Sequence, residues 1–478
     1  MVSVHHNDYE KRRQENIRRN EELLAKLALP SLGSASAPLG INGSLKTKAK
    51  RTSERRAEPT RQSKRLLAKA LAEKEGVKRP IEDDDDHFLL PPTLRTIAPR
   101  VKALPEATVP FDPQKGGDSQ LYINTFKDPS LFKKSEELFQ PPAGPRFYQI
   151  KSGASIAKLV DARIYSMAIH PSSHKIIVSA ASKFGALSLW DASRAWLGEA
   201  IPEDERLIFL FGSAHSGSVT QQRYDPFDSS KLFTSSYDGT LRSLHLTEGR
   251  SELLFKTDMN SSELISTLEH QSASSWLFTD SEGFLNGFDS RQKHLFLRQR
   301  LHERKAGGLS VSVDPNLLAT SSLDDTIRLW DMRKINDQEP LAQFEYRRAV
   351  TSVAFHPHIR HTLVATCYDD HLYTHTNLLT EDHAVLSIFH NNQTGRWITP
   401  FRAIWDPKSS DDFATSHIVI GDMQRGLDVI EMTTGAISFS ETPELLTAQP
   451  AVSAIHPYLD LIASGTASGK VFLWHSNN

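Results

Sequence analysis

Residues 302–333 read HERKAGGLSVSVDPNLLATSSLDDTIRLWDMR. GLSVSV alternates apolar and polar side chains, the pattern of a strand with two unlike faces, and Asp314-Pro315 ends it in a turn. LLATSS follows as a second strand, Asp324-Asp325 as a second turn, and TIRLW as a third strand closed by Asp331. Strands joined by such tight turns pair antiparallel and carry apolar residues on both sides. A single sheet of this kind cannot bury both faces, so it needs neighbours of its own design.

Those neighbours are in the sequence. His-Pro or Asp-Pro pairs, the turn after a first strand, end at Pro171, Pro226, Pro315, Pro357, Pro407 and Pro457, with spacings of 55, 89, 42, 50 and 50 residues. The interval of 89 spans two periods. Residues 264–291, LISTLEHQSASSWLFTDSEGFLNGFDSR, supply the missing copy and end in Phe288-Asp289. Seven copies result. A leading His, an Asp in the second turn and a terminal Trp-Asp form the signature of a WD40 repeat, so the predicted fold is all-β, a seven-bladed WD40 β-propeller over residues 155–478. The copies diverge: blade one keeps Trp190-Asp191, blade two has Leu244 in place of Trp, and blade five has Asp369-Asp370 but no terminal Trp. Blade six has Gly421-Asp422 and a long insertion, and blade seven ends at Trp474 after its third strand. Residues 155–160 are the expected donor of its outer strand, which would close the ring without an exposed edge.

The N-terminal part has another character. The chain of 478 residues has a formal net charge of -2, yet residues 1–80 carry 19 Lys/Arg against 9 Asp/Glu. Residues 1–90 are read as a basic, partly helical and otherwise disordered arm. YEKRRQENIRRNEELLAKLAL at 9–29 has a patchy apolar stripe and predicts a helix ended by Pro30. Residues 46–79 hold 13 Lys/Arg against 4 acids, a density suited to nucleic-acid phosphates, to a nuclear-import signal or to a solvated tail. Residues 91–154 are Pro-rich with scattered aromatics and are expected to pack on the propeller. The single cysteine, Cys367, excludes an intrachain disulfide framework and a Cys-rich zinc site. No apolar run reaches the roughly 20 residues that span a bilayer, and the N-terminus lacks a signal-peptide core. A soluble chain of a reducing compartment with no membrane partner is expected.

His302, Ser322, Asp324 and Trp330 predict a buried hydrogen-bonded set. Ser, His and Asp together suggest catalysis, but a set that recurs blade by blade locks strands, whereas an active site need occur only once. With no phosphate-binding Gly-rich loop and no metal motif, no enzymatic activity, cofactor, metal or small-molecule substrate is expected.

Loops before first strands, and turns between second and third strands, share one rim, here the top. Top loops carry Arg163, Lys183, Arg304, Lys305, Arg347, Arg348, Arg396 and Arg425, and bottom turns carry Asp225, Asp314 and Asp406. A basic rim is a platform for a phosphate backbone. HNNQTGRWITPFRAIWDP at 390–407 predicts a hairpin with Arg396 and Trp397 at its tip and Arg402 behind. Trp397 there either stacks on an unpaired base or packs over the channel mouth. On the bottom, Trp330-Asp331-Met332-Arg333 is echoed by Phe288-Asp289-Ser290-Arg291, so Asp331, Arg333, Asp289 and Arg291 are candidates for binding a protein partner.

Residues 9–29, PTRQSKRL at 59–66 and the seven divergent blades together resemble the fungal Cmr-type (changed mutation rate) DNA damage-binding WD40 proteins, over most of the chain. The resemblance implies a nuclear protein that binds DNA, single- or double-stranded, with UV-damaged duplex preferred. RWITPFRAIWDP is similar to the lesion-probing hairpin in the related small subunit of the UV-damaged-DNA-binding complex, which would put Gly395, Arg396 and Trp397 at the probing tip. The wedge residues themselves differ. The 330–333 tail resembles those by which WD40 adaptors dock on cullin-4 ubiquitin ligases. Two functions therefore fit: a nuclear DNA-binding propeller acting in the DNA damage response, or a protein scaffold, either a ligase adaptor or a chromatin platform.

Overall fold

The computed structural model describes Arg18, Tyr122, residues 125–132, and residues 148–476 apart from 258–262, 410–412, 414–415 and 442–443. Met1–Asp83 and Asp84–Asn478 form two compact units. In the first only Arg18 is described, so the helix expected near 9–29 and the basic segment at 46–79 lie outside the described residues, as does most of 91–147.

Seven antiparallel sheets make the seven-bladed propeller, six of them built from four consecutive strands each. Strands a to d run from the centre outward. In blade one they are Ile164–Ile169, Ile177–Ser182, Ala186–Asp191 and Leu207–Ser213. Blades two, three, five and six span residues 219–256, 265–300, 350–389 and 404–441, and blade four is Ala306–Val311, Leu317–Ser322, Thr326–Asp331 and Ala342–Glu345. Blade seven has Pro450–Ile455, Leu461–Thr466 and Lys470–Ser476, and takes its outer strand from Ile156–Lys158, which pairs Ile156 with Phe472 and Lys158 with Lys470. Tyr148–Gln149 extends the same edge against His475 and Ser476. Closure needs Gly469, at φ +81° in the turn before the last strand. A Cβ there would overlap the Val160 carbonyl, while the Gly469 carbonyl accepts the Leu159 N–H at 3.0 Å.

Period-two side-chain placement explains why blades stack. In the fully buried strand Leu317–Ser322, Leu317 and Ala319 join an apolar cluster with Val353 and Leu363 of blade five. Leu318 points the other way, to Leu277 and Leu285 of blade three. Among the described residues there are seven such clusters, one at every seam between adjacent blades. Tyr122, Phe126 and Leu131 add to the seam of blades one and two, where the Tyr122 hydroxyl donates to the Leu246 carbonyl at 2.5 Å.

The buried polar set of blade four is a relay, with one correction to the expected membership. Trp330 Nε1–H donates to Thr320 Oγ1 at 2.8 Å. That leaves the Thr320 hydroxyl hydrogen for His302 Nε2, also at 2.8 Å, so the ring proton sits on Nδ1 facing Asp324 Oδ2 at 2.8 Å. Thr320, not Ser322, is the link, because it stands inside strand b, level with the imidazole and the Trp330 ring, whereas Ser322 is the strand's last residue beside the turn. Ser322 serves only the backbone of Arg304 and Asp324. Blade two repeats the relay with His215 and Thr234, but ends it there because Leu244 replaces Trp.

The bottom turns are stitched in turn. His170, His356 and His456 accept backbone N–H bonds at Nδ1 from their own turns, at 2.8–3.1 Å. Each Nε2–H therefore carries the proton and donates to the next blade: His170 to Ser229 O, His356 to Ser416 Oγ and His456 to Ser172 O. Between blades six and seven the buried Lys408 ammonium does this work, bonded to Asp406 at 2.8 Å and to the His456 carbonyl at 3.2 Å.

Two predictions follow from these bonds. Thr320→Val leaves two buried groups unsatisfied and should cost about 2–4 kcal/mol in urea unfolding, against about 1 kcal/mol for Ser322→Ala; equal costs would refute the relay. Burial holds His170, His356 and His456 down to about 4. Unfolding returns each to near 6.5, so below that pH the unfolded chain takes up protons that the folded chain refuses. Stability should be full above about pH 6.5 and decline toward pH 4; a Tm that stays level down to pH 5 would contradict this.

Candidate nucleic-acid interface

The top face is made of tight b–c turns and of d–a crossovers between blades. Each b–c turn has one residue at positive φ, among them Gly185, Asp325 and Arg425, which lets it reverse within a few residues. At blade one the turn carries Lys183 and the 54% exposed Phe184 on this face.

The crossover at 390–403 is not the hairpin expected. Residues 395–397 form a turn without strand pairing. Side chains take the place of a ladder: Asn392 Nδ2 donates to the carbonyls of Cys367 and His371, and Gln393 Nε2 to that of Tyr368. The far end leans over the ring mouth onto blade one, where Thr399 Oγ1 donates to the Ile164 carbonyl at 2.8 Å. Arg163 Nη1 donates to the Arg396 carbonyl at 3.2 Å, and the Lys183 N–H to the Arg163 carbonyl at 2.9 Å.

This brings Arg163, Lys183 and Arg396 together, and among the described residues none of the three is in an ion pair. Burial lowers the pKa of Lys183, and the Arg163 and Arg396 guanidiniums lower it further, as expected for unneutralised like charges. Arg163 is lowered by burial. Trp397 stands beside them 77% exposed, its ring centroid 5.7 Å from the Arg396 guanidinium. It does not pack over the channel. A cationic cluster carrying an exposed indole can hold an anion and stack on a planar group.

The other predicted residues separate. Arg347 and Arg348 are exposed on the crossover into blade five. Arg304 and Lys305 are half-buried and engaged within the fold, Arg304 with the Leu323 carbonyl at 2.9 Å and Lys305 with the Tyr237 hydroxyl at 2.7 Å. Arg402 is inside the ring, in the wall of a central cavity of about 630 Å³, bonded to Gln221 Oε1 at 2.9 Å. It reaches the rim only through the channel. Phe184 carries no motif, though it could have been suspected as an apolar residue between Lys183 and a turn glycine; Thr399 lies in the quoted RWITPFRAIWDP run, but its bond to blade one has no sequence signal.

On the bottom, Arg333 forks onto Asp331 with Nε–Oδ1 at 2.9 Å and Nη2–Oδ2 at 2.7 Å. The guanidinium holds the Asp331 carboxyl down to about 2, and the Arg333 side chain stays 71% exposed. Blade three does not copy this: Arg291 Nη2 donates to Ser274 Oγ at 3.0 Å, and Asp289 accepts backbone N–H bonds from Arg291 and Gln292.

One further grouping on the top face has no sequence motif. His390, Asp422 and Asp428 each offer a ligand atom within 4.8 Å of the others. No metal site was expected, because no metal-binding motif marks one and His390 lies far in sequence from the two acids.

Residues 299–331 match the family described as WD domain, G-beta repeat. The chain is 29% identical over 526 residues to the DNA damage-binding protein CMR1 of Phaeosphaeria nodorum, covering 99% of both chains. It is 31% identical to the DNA damage-binding protein cmr1 of Neurospora crassa, over 70% of this chain and 68% of that one. It is also 29% identical to WD repeat-containing protein 76 of Xenopus laevis, over 67% of this chain and 54% of that protein.

Proposed function

The chain belongs to the CMR1 family of DNA damage-binding WD40 proteins, and from that premise we propose that it is a nuclear, non-catalytic DNA-binding propeller that prefers UV-damaged or otherwise distorted duplex. The observation that carries the reading is the convergence of Arg163, Lys183 and Arg396 beside the exposed Trp397. The cations attract the phosphate backbone of single- or double-stranded DNA without regard to sequence. Trp397 supplies the preference: an indole stacks on a base that damage has already unstacked, and pays less to enter a weakened step than an intact one. Arg347 and Arg348 extend backbone contact to blade five, and the basic arm at 46–79 adds salt-dependent affinity. Arg304, Lys305 and Arg402 act at second hand, by shaping the rim and the mouth.

Arg396→Ala with Trp397→Ala should lower the preference for a duplex with a single UV photoproduct by about 5- to 100-fold, the worth of one lost stack. Arg347→Ala with Arg348→Ala should weaken damaged and intact duplex alike and reduce the salt slope by roughly 1–2. Wild-type affinities for both variants in fluorescence anisotropy would sink the proposal.

A second reading concerns the opposite rim. The Asp331–Arg333 fork offers an oriented, exposed guanidinium to a protein partner, and a cullin-4 ligase adaptor or a chromatin protein fits it. Asp289 and Arg291, which lack the fork, contribute less. Asp331→Ala with Arg333→Ala should abolish co-purification of the ligase while DNA affinity stays unchanged; undiminished co-purification would rule out docking through the fork.

A further inference from the structure

Strand registers make the blades comparable position by position. Thr234 of blade two and Thr320 of blade four are the fourth residues of their b strands, and pair with Arg242 and Arg328 on strand c. The equivalent pair in blade six is Ile420 and Asp428. Two changes result. The hydroxyl that satisfies His215 Nε2 and His302 Nε2, at 2.8 Å each, is replaced by an aliphatic side chain. The cation beside the turn Asp, such as Arg328 at 3.7 Å from Asp324, is replaced by the carboxylate of Asp428, and Asp422 stands where blade four has Ser322.

His390 sits at the head of the crossover into blade six with its side chain 2% exposed. Its protonation is legible from its partners. Asn392 Nδ2 donates to two backbone carbonyls, which turns Asn392 Oδ1 toward His390 Nδ1 at 2.8 Å. An amide oxygen only accepts, so Nδ1 carries a proton. In the neutral ring Nε2 is then the lone pair; it is buried, without a hydrogen-bond partner, and 3.7 Å from Asp428 Oδ2. A lone pair and a carboxylate facing each other at that distance repel, and either a cation between them or a second proton on the ring relieves the repulsion. Asp422 closes the triangle; its Oδ2 accepts the Gln424 N–H at 2.9 Å, which fixes the carboxylate in place.

We propose that His390, Asp422 and Asp428 form a divalent metal site on the top of blade six that takes Zn²⁺ through one imidazole nitrogen and two carboxylates. One nitrogen and two oxygens suit zinc, with donors at about 2 Å and a fourth position for water. The Asn392 amide is the outer partner that orients the imidazole, as metal-bound histidines require. The ion would neutralise both carboxylates beside the basic face and tie the crossover bearing Arg396 and Trp397 to blade six. The site stands or falls independently of DNA binding.

The test is zinc binding by the full chain, stripped with chelator and titrated with ZnCl₂ in equilibrium dialysis and thermal denaturation. Wild type should bind one more equivalent than Asp428→Asn and gain a zinc-dependent rise in Tm that Asp428→Asn and Asp422→Asn lack. A second variant, Ile420→Thr with Asp428→Arg, installs what blades two and four carry, and should fold without zinc and lose that equivalent. Equal zinc stoichiometry and equal Tm response in wild type and variants would overturn the proposal, leaving a protonated His390 ion-paired with Asp428.

Discussion

Every blade of this protein is apolar on both faces, and the rest of the structure depends on that. A sheet with one wet face could end a stack; a sheet with two dry faces needs a neighbour on each side, and a ring satisfies all of them at once. Each fully buried Leu, Ile or Phe at a seam contributes about 1.5–3 kcal/mol, so the seven seams outweigh any single polar bond. This explains how the blades diverge without losing the fold. Leu244 replaces a Trp, and Ile420 replaces a Thr, because the apolar seam survives both changes even though the relay does not.

Polar groups then specify what the seams leave open. The blade-four relay fixes the height of the top turn against strands b and c, and the His-Pro histidines set the angle between consecutive blades from below. Both use neutral imidazole with its proton assigned by its neighbours, His302 on Nδ1 and the turn histidines on Nε2. A second proton on any of these rings would remove an acceptor from a buried N–H or hydroxyl. Burial and hydrogen bonding therefore act in the same direction, and the propeller is more sensitive to acid than its carboxylates alone would make it.

The ring also decides which residues become neighbours. Arg163 and Arg396 are 233 positions apart, yet meet because the crossover into blade six passes the mouth and reaches blade one. The charges of the top rim divide along the same lines. Lys183 and Arg396 are left facing solvent with like-charged neighbours, whereas Arg304 and Lys305 are satisfied by the fold. Blade six, the most irregular, holds both the exposed indole and the inverted charge pattern around His390. Irregularity there is local chemistry laid over an unchanged frame.

The sequence by itself determined the propeller. Alternating apolar residues and turn pairs at a recurring interval are local signals, so the number of blades, the missing proline of blade three and the strand that closes blade seven could be counted before any coordinates. It also marked Trp397 and Arg396, since an aromatic next to an arginine in a long polar insertion is visible as such. Only the tertiary structure decided that Thr320 rather than Ser322 carries the relay, because the two share a face of strand b and only their level against His302 and Trp330 tells them apart. It alone separated Arg402 and Lys305 from Arg163 and Lys183, and brought His390 to Asp422 and Asp428. Such groupings depend on which loops cross the ring and where strands face, and no interval along the chain encodes a distance across it.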